Sequence, residues 1–96
     1  MNKKNAYIEA AEARLKEAKA ELDKLQARAD REKAESKIEL SRKKEELEQK
    51  RDDLEKRLKN LKSKSEEAWD DLKEGIDDSM KDLKDAVADA RSRFQS

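Results

Sequence analysis

The chain has 96 residues, enough for one small domain, and charged side chains make up 52% of it against 33% hydrophobic. Lys and Arg together number 25, as do Asp and Glu, so no net field draws nucleic acid, which is disfavoured as a partner. His and Cys are absent and Gly occurs once, which removes the commonest general base, thiolate chemistry, disulfides, most transition-metal ligands and any phosphate-cradling loop.

The first predicted element is a long helix. Ile8, Ala11, Leu15, Ala18, Leu22, Leu25 and Ala29 step by three and four, the heptad pattern of a coiled-coil seam. A second row, Ala6, Ala13, Ala20, Ala27 and Ala34, recurs every seven residues on another face. Two readings of that row stand open: Ala as the best helix former, or a second helix packed closely against it.

Between Asp30 and Asp53 the same helix becomes almost wholly polar. Leu40, Leu47, Leu54 and Leu61 keep one seam position at seven-residue spacing, with Leu58 beside them. Acid-before-base pairs such as Glu39/Lys43, Glu46/Lys50 and Asp53/Arg57 each stabilise helix by about 0.2–0.5 kcal/mol. A solvated, self-stabilised face explains the charge run, and the charged coiled-coil helix is expected over residues 1–62.

A turn is expected at 63–65. Lys59, Lys62 and Lys64 suit the negative end of a helix dipole, and Ser63 or Ser65 ahead of Glu66 and Glu67 suits a helix start. No Gly or Pro enforces the turn, so one continuous helix is the alternative.

An acidic amphipathic helix is then expected over 66–96. The blocks WDDLKEGIDDS (69–79) and MKDLKDAVADA (80–90) agree at Asp71/Asp82, Leu72/Leu83, Lys73/Lys84 and Asp78/Asp89. At about 100° per residue, Trp69, Leu72, Ile76, Met80, Leu83, Val87, Ala90 and Phe94 fall in one arc. An eleven-residue period is 3.67 residues per turn, so the stripe runs nearly parallel to the axis and faces one partner. Trp69 reads as a packing anchor, with a membrane-interface or ligand-stacking role as the rival. Gly75 reads either as a site of close helix approach or as a tolerated defect.

The fold class is therefore all-α: a long heptad helix folded back as an antiparallel hairpin within an oligomeric coiled coil. The hairpin seam comprises Leu40, Leu47, Leu54, Leu58, Leu61, Trp69, Leu72, Ile76, Met80, Leu83, Val87 and Phe94. Charge supports the docking, since residues 31–62 hold 12 basic and 9 acidic side chains and residues 63–96 hold 6 and 10. Half of the long helix then overhangs. Its seam, Ile8, Ala11, Leu15, Ala18, Leu22, Leu25 and Ala29, is expected to be an oligomer interface with a second copy of the chain, in a closed dimer or a filament.

The segment Ser65-Glu66-Glu67-Ala68-Trp69-Asp70-Asp71-Leu72-Lys73-Glu74-Gly75-Ile76, with Met80, Leu83-Lys84 and Arg93-Phe94 after it, resembles a group of small bacterial coiled-coil proteins. They share a long charged helix and an A-W-[DE]-x-L-K-x-G-[IV] segment. The resemblance implies a bacterial source and no particular activity. The eleven-residue period is also similar to that of exchangeable apolipoproteins and desiccation-protective proteins.

No catalytic residue, cofactor or metal site is expected. The expected function is that of a non-enzymatic structural or interaction protein, a self-assembling helical hairpin serving as scaffold or filament subunit. The alternatives are a membrane-surface binder using the second helix and a stress-protective, conditionally folded protein. The N-terminal stretch has no apolar leader segment, which makes a cytoplasmic location the expectation.

Overall fold

Two turns divide the chain into three helices, α1 (Lys3–Ala29), α2 (Ala34–Lys62) and α3 (Glu66–Phe94). They are seen in a computed structural model that describes residues 3–94, with the side chains of Lys3, Glu66 and Phe94 outside the description. The all-α class and the fold-back at 63–65 match the sequence expectation. The single helix expected over 1–62 does not: it is interrupted at residues 30–33.

The interruption is made without Gly or Pro. One α-helical bond runs past Ala29, Asp30 N–H to Gln26 O (3.0 Å), and two tighter i→i−3 turn bonds follow, Arg31 N–H to Arg28 O (3.0 Å) and Glu32 N–H to Ala29 O (3.4 Å). Lys33 is then extended, at φ −71° and ψ 161°, and α2 begins with no side-chain cap. The second turn is more firmly tied. Ser63 N–H and Lys64 N–H bond back to Lys59 O and Leu61 O, and Ser63 Oγ donates to Asn60 O at 2.9 Å. Lys4 Nζ, arriving from α1, donates to Lys64 O at 2.7 Å.

Cross-helix contacts set the directions. Glu39 meets Arg93 and Asp53 meets Ser79, fourteen residues apart on either helix, so α3 runs antiparallel to α2 without slip. Tyr7 meets Asp77 and Glu21 meets Arg91, again fourteen apart, so α1 runs parallel to α3. The result is an up-down-up bundle, 51 × 19 × 16 Å, in which every helix touches the other two.

The reason α1 folds back lies in what it covers. Ala11 and Ala18 are fully buried, and Leu22 and Leu25 nearly so, in one core with Leu40, Leu47, Leu54, Leu61, Ile76 and Leu83. Burying a leucine is worth about 1.5–3 kcal/mol. Closing a short turn orders a few residues, whereas recruiting a second chain costs about 4–15 kcal/mol of translational and rotational freedom. A third helix from the same chain is the cheaper cover. The small Ala11 and Ala18 let α1 approach the hairpin closely, as Leu at those points would not.

Gly75 is not a point of close helix approach. A Cβ built there meets only the Arg57 guanidinium, with Nη1 2.5 Å away. That group is the far end of a flexible side chain, bonded through Nε to Asp53, and its Nη1 can turn aside. Gly75→Ala is therefore expected to stabilise the bundle by about 0.5–1 kcal/mol through helix propensity, read as a higher urea midpoint at unchanged slope. A lower midpoint would show that Arg57 is held too firmly to move.

Candidate interaction surfaces

The residues read as an oligomer interface point inward. Ala11, Ala18, Leu22 and Leu25 are buried, and Ile8, Leu15 and Ala29 pack partly buried against the same core. With the seam closed inside one chain, the wet overhang that called for a second copy is gone. The hairpin seam is assembled by α2 and α3: Leu40, Leu47, Leu54, Leu58, Leu61, Trp69, Ile76, Leu83 and Val87 are buried, while Leu72 and Met80 are partly so. Phe94 ends α3, and its side chain lies outside the described residues. The alanine row Ala6, Ala13, Ala20, Ala27 and Ala34 is exposed throughout, so no helix packs on it.

The doubled eleven-residue block is legible in the burial. Its eighth positions, Ile76 and Val87, are both buried, and so are its eleventh, Ser79 and Ala90. Ser79 is a buried hydroxyl and needs a partner. It finds one in Asp53, donating to Oδ2 at 2.9 Å, and Arg57 Nε donates to the same oxygen at 3.0 Å. Burial pushes the Asp53 carboxyl up, but Ser79 and Arg57 outweigh it and hold the group below its usual range.

Two further polar contacts pin the helices. Lys43 Nζ donates to Asp89 Oδ2 at 2.7 Å, which lowers the pKa of Asp89 against a smaller opposing desolvation and raises that of Lys43. Glu21, 5% exposed, accepts from Arg91 Nε at 3.0 Å. Asp53 and Asp89, with lowered folded-state pKa, contribute stability that is present above the unfolded carboxyl range, about pH 4, and lost as pH falls through the folded values. The urea midpoint is therefore expected to drop on acidification below that range, and Asp89→Asn to flatten the drop. An unchanged acid limb in the variant would remove Asp89 from the account.

At the end of the bundle holding the α2–α3 turn, Tyr7 stands edge-on to Trp69 with ring centroids 4.6 Å apart, and its hydroxyl donates to Asp77 Oδ2 at 3.0 Å. Lys73 Nζ lies 5.7 Å from the Trp69 ring centre. Burial, then Asp77, raises the Tyr7 pKa. Trp69 is thus a packing anchor between α1 and α3. Sequence reasoning misses Tyr7, Glu21 and Ser79, because one Tyr, one Glu and one Ser in a charged helix carry no pattern; the signal that could have found Ser79 is its place in the repeat, opposite Ala90.

Surface clefts are shallow and charged. One of about 350 Å³ lies between α2 and α3, lined by Glu46, Gln49, Lys50, Asp53, Ser79 and Asp82. Another of about 400 Å³ lies between α1 and α2, lined by Leu15, Lys16, Lys19, Arg51 and Glu55. The Ser79 hydroxyl in the first cleft is bound to Asp53. Among the described residues no cluster of three metal-ligating side chains occurs, and no helix is long and apolar enough to cross a membrane. Ile38, 59% exposed, is the one large apolar side chain on the surface of the described residues.

These features define a small three-helix bundle whose cross-helix contacts hold the helices together. Comparison of the chain with family models, curated proteins and solved structures returned no match.

Proposed function

We propose that this protein is a non-enzymatic structural module, a helical building block that assembles with further copies of itself. The observation that carries this is the use of the apolar residues. Nearly every large one among the described residues is committed to a single Ala- and Leu-rich seam between helices, a kind of seam that also forms between chains once concentration offsets the cost of association. The polar side chains serve the same end, since the cross-helix pairs tie helix to helix. The resemblance to small bacterial coiled-coil proteins supports a bacterial source.

Charge is unevenly divided. The α3 helix carries ten acidic and five basic side chains, whereas α2 carries ten basic and eight acidic, and α1 seven basic and five acidic. This favours packing of α3 beside α2 and α1, and disfavours anionic lipid, which the acidic face of α3 would meet as a like charge.

Sedimentation over a micromolar-to-millimolar series tests the proposal. Mass is expected to rise above the 11.2 kDa of one chain as concentration increases. A strictly monomeric protein across the series would overturn it. Flotation with anionic vesicles in place of self-association would transfer the function to a membrane surface.

A further inference from the structure

The turn at residues 30–33 has the construction of a hinge. Its residues, Asp30, Arg31, Glu32 and Lys33, include neither Gly nor Pro, and no described residue adopts a positive φ. The last α-helical bond is at Asp30, tighter i→i−3 turn bonds carry the chain on to Glu32, and the extended ψ of Lys33 at the start of α2 is unsupported by a cap. Arg28 and Glu32, one helical turn apart and 3.4 Å from each other, already make a pair that a continuous helix would keep. Returning Lys33 to helical ψ, with its neighbours, joins α1 and α2 into one rod.

Three observations say what that rod would do. Residues 33–39 at the start of α2 are exposed without exception, so straightening the hinge breaks no buried contact there. Ala29 ends the α1 seam and Leu40 begins that of α2, eleven residues on. At about 100° per residue this is within about 20° of three full turns, so a straight helix keeps both seams on one face. Finally, α1 meets α2 in antiparallel register, with Gln26 against Lys44 and Glu12 against Lys62. The midpoint of that register lies at residues 35–37, inside the exposed segment.

We infer that two copies of this chain exchange α1. Each opens at residues 30–33 into a rod of about 60 residues, roughly 90 Å long. The two rods cross antiparallel about a two-fold axis near residues 35–37, and the α1 of each fills the groove between α2 and α3 of the other. Every α1 contact of the monomer is remade between chains: Tyr7 on Trp69, Glu21 on Arg91, Lys4 on the Lys64 carbonyl. The two forms therefore differ only at the hinge and in the new contact along residues 33–39, where Ala34 and the exposed Ile38 lie one turn apart. Concentration sets their ratio, and release of α1 sets the rate. The 63–65 turn does not open in this way, because Ser63, Asn60 and Lys4 hold it. The inference rests on the self-assembling module proposed above and names its route.

The test uses the full chain. Ala34→Pro fixes Lys33 in its extended conformation and suits the first position of a helix, but in a straight rod its ring would clash with the Asp30 carbonyl. The converse variant replaces residues 30–33 with four Ala. After incubation at high concentration, light scattering is expected to show a dimer of wild type with twice the monomer mass, monomer only for Ala34→Pro, and dimer in excess for the four-Ala hinge. A donor dye on Glu12→Cys in one chain and an acceptor on Lys62→Cys in another should transfer energy in the dimer, since native Cys is absent. A wild-type dimer that persists in Ala34→Pro, or that shows no transfer, overturns the exchange while leaving self-assembly standing. A chain that stays monomeric in every variant, the four-Ala hinge included, overturns both. Should Ala34→Pro fail to fold by circular dichroism, the four-Ala hinge decides alone, and an unaltered dimer fraction there overturns the exchange.

Discussion

Leu54→Ala is expected to remove about 2–5 kcal/mol of stability, because Leu54 is fully buried and the helices around it cannot collapse onto the space left. A chain of this length has a total of roughly 5–15 kcal/mol to lose. The substitution therefore brings the protein close to half unfolded in mild denaturant. Urea unfolding followed by circular dichroism measures it directly. Ile38→Ala is the control, since a side chain 59% exposed should change stability by no more than about 0.5 kcal/mol. Equal effects at the two positions would mean that the bundle core is not where Leu54 sits.

The second large effect is expected from Leu22→Lys combined with Leu25→Lys. Each leucine lost from the core forfeits about 1.5–3 kcal/mol, and each ammonium must either escape to water or stay desolvated. Leu22 is 6% exposed and Leu25 2%, so neither lysine stem can reach solvent without lifting α1. Amide exchange should become fast across Lys3–Ala29 and slower to change in α2 and α3. The concentration dependence separates two arrangements. In a closed bundle the loss is present in the most dilute sample, where an interface confined to contacts between chains would already be empty and the substitutions silent. Protection of α1 that survives in the dilute variant would rule out its place in the core.

How far the sequence disclosed this arrangement differs between the two turns. At 63–65 local chemistry speaks: lysines at the end of one helix, serines and glutamates at the start of the next, and a change of period from seven to eleven. At 30–33 it is silent. Lys33 is a poor N-cap, Arg28 and Glu32 pair as they would in an unbroken helix, and the Ala29-to-Leu40 spacing keeps the seam in phase. The break exists because Ala11, Ala18, Leu22 and Leu25 find the α2–α3 groove, a long-range event that no window of residues contains. For the same reason the seam residues themselves were readable, whereas the identity of the chain that covers them was not. Of the ion pairs expected along α2, Asp53–Arg57 forms at 3.0 Å. Lys43 instead crosses to Asp89 on α3, because a partner on another helix was within reach.

An odd number of helices has a mechanical result. Lys4 touches the α2–α3 turn and Arg93 touches Glu39 near the α1–α2 turn, so the start of α1 and the end of α3 lie at opposite ends of the 51 Å axis. Tension applied between them runs along the helices. It would pull α1 one way and α3 the other past the α2 between them, so that the seam contacts, Lys43–Asp89 and Glu21–Arg91 are strained together in shear rather than peeled one at a time. A hairpin of two helices, with both ends on the same side, would unzip under the same pull.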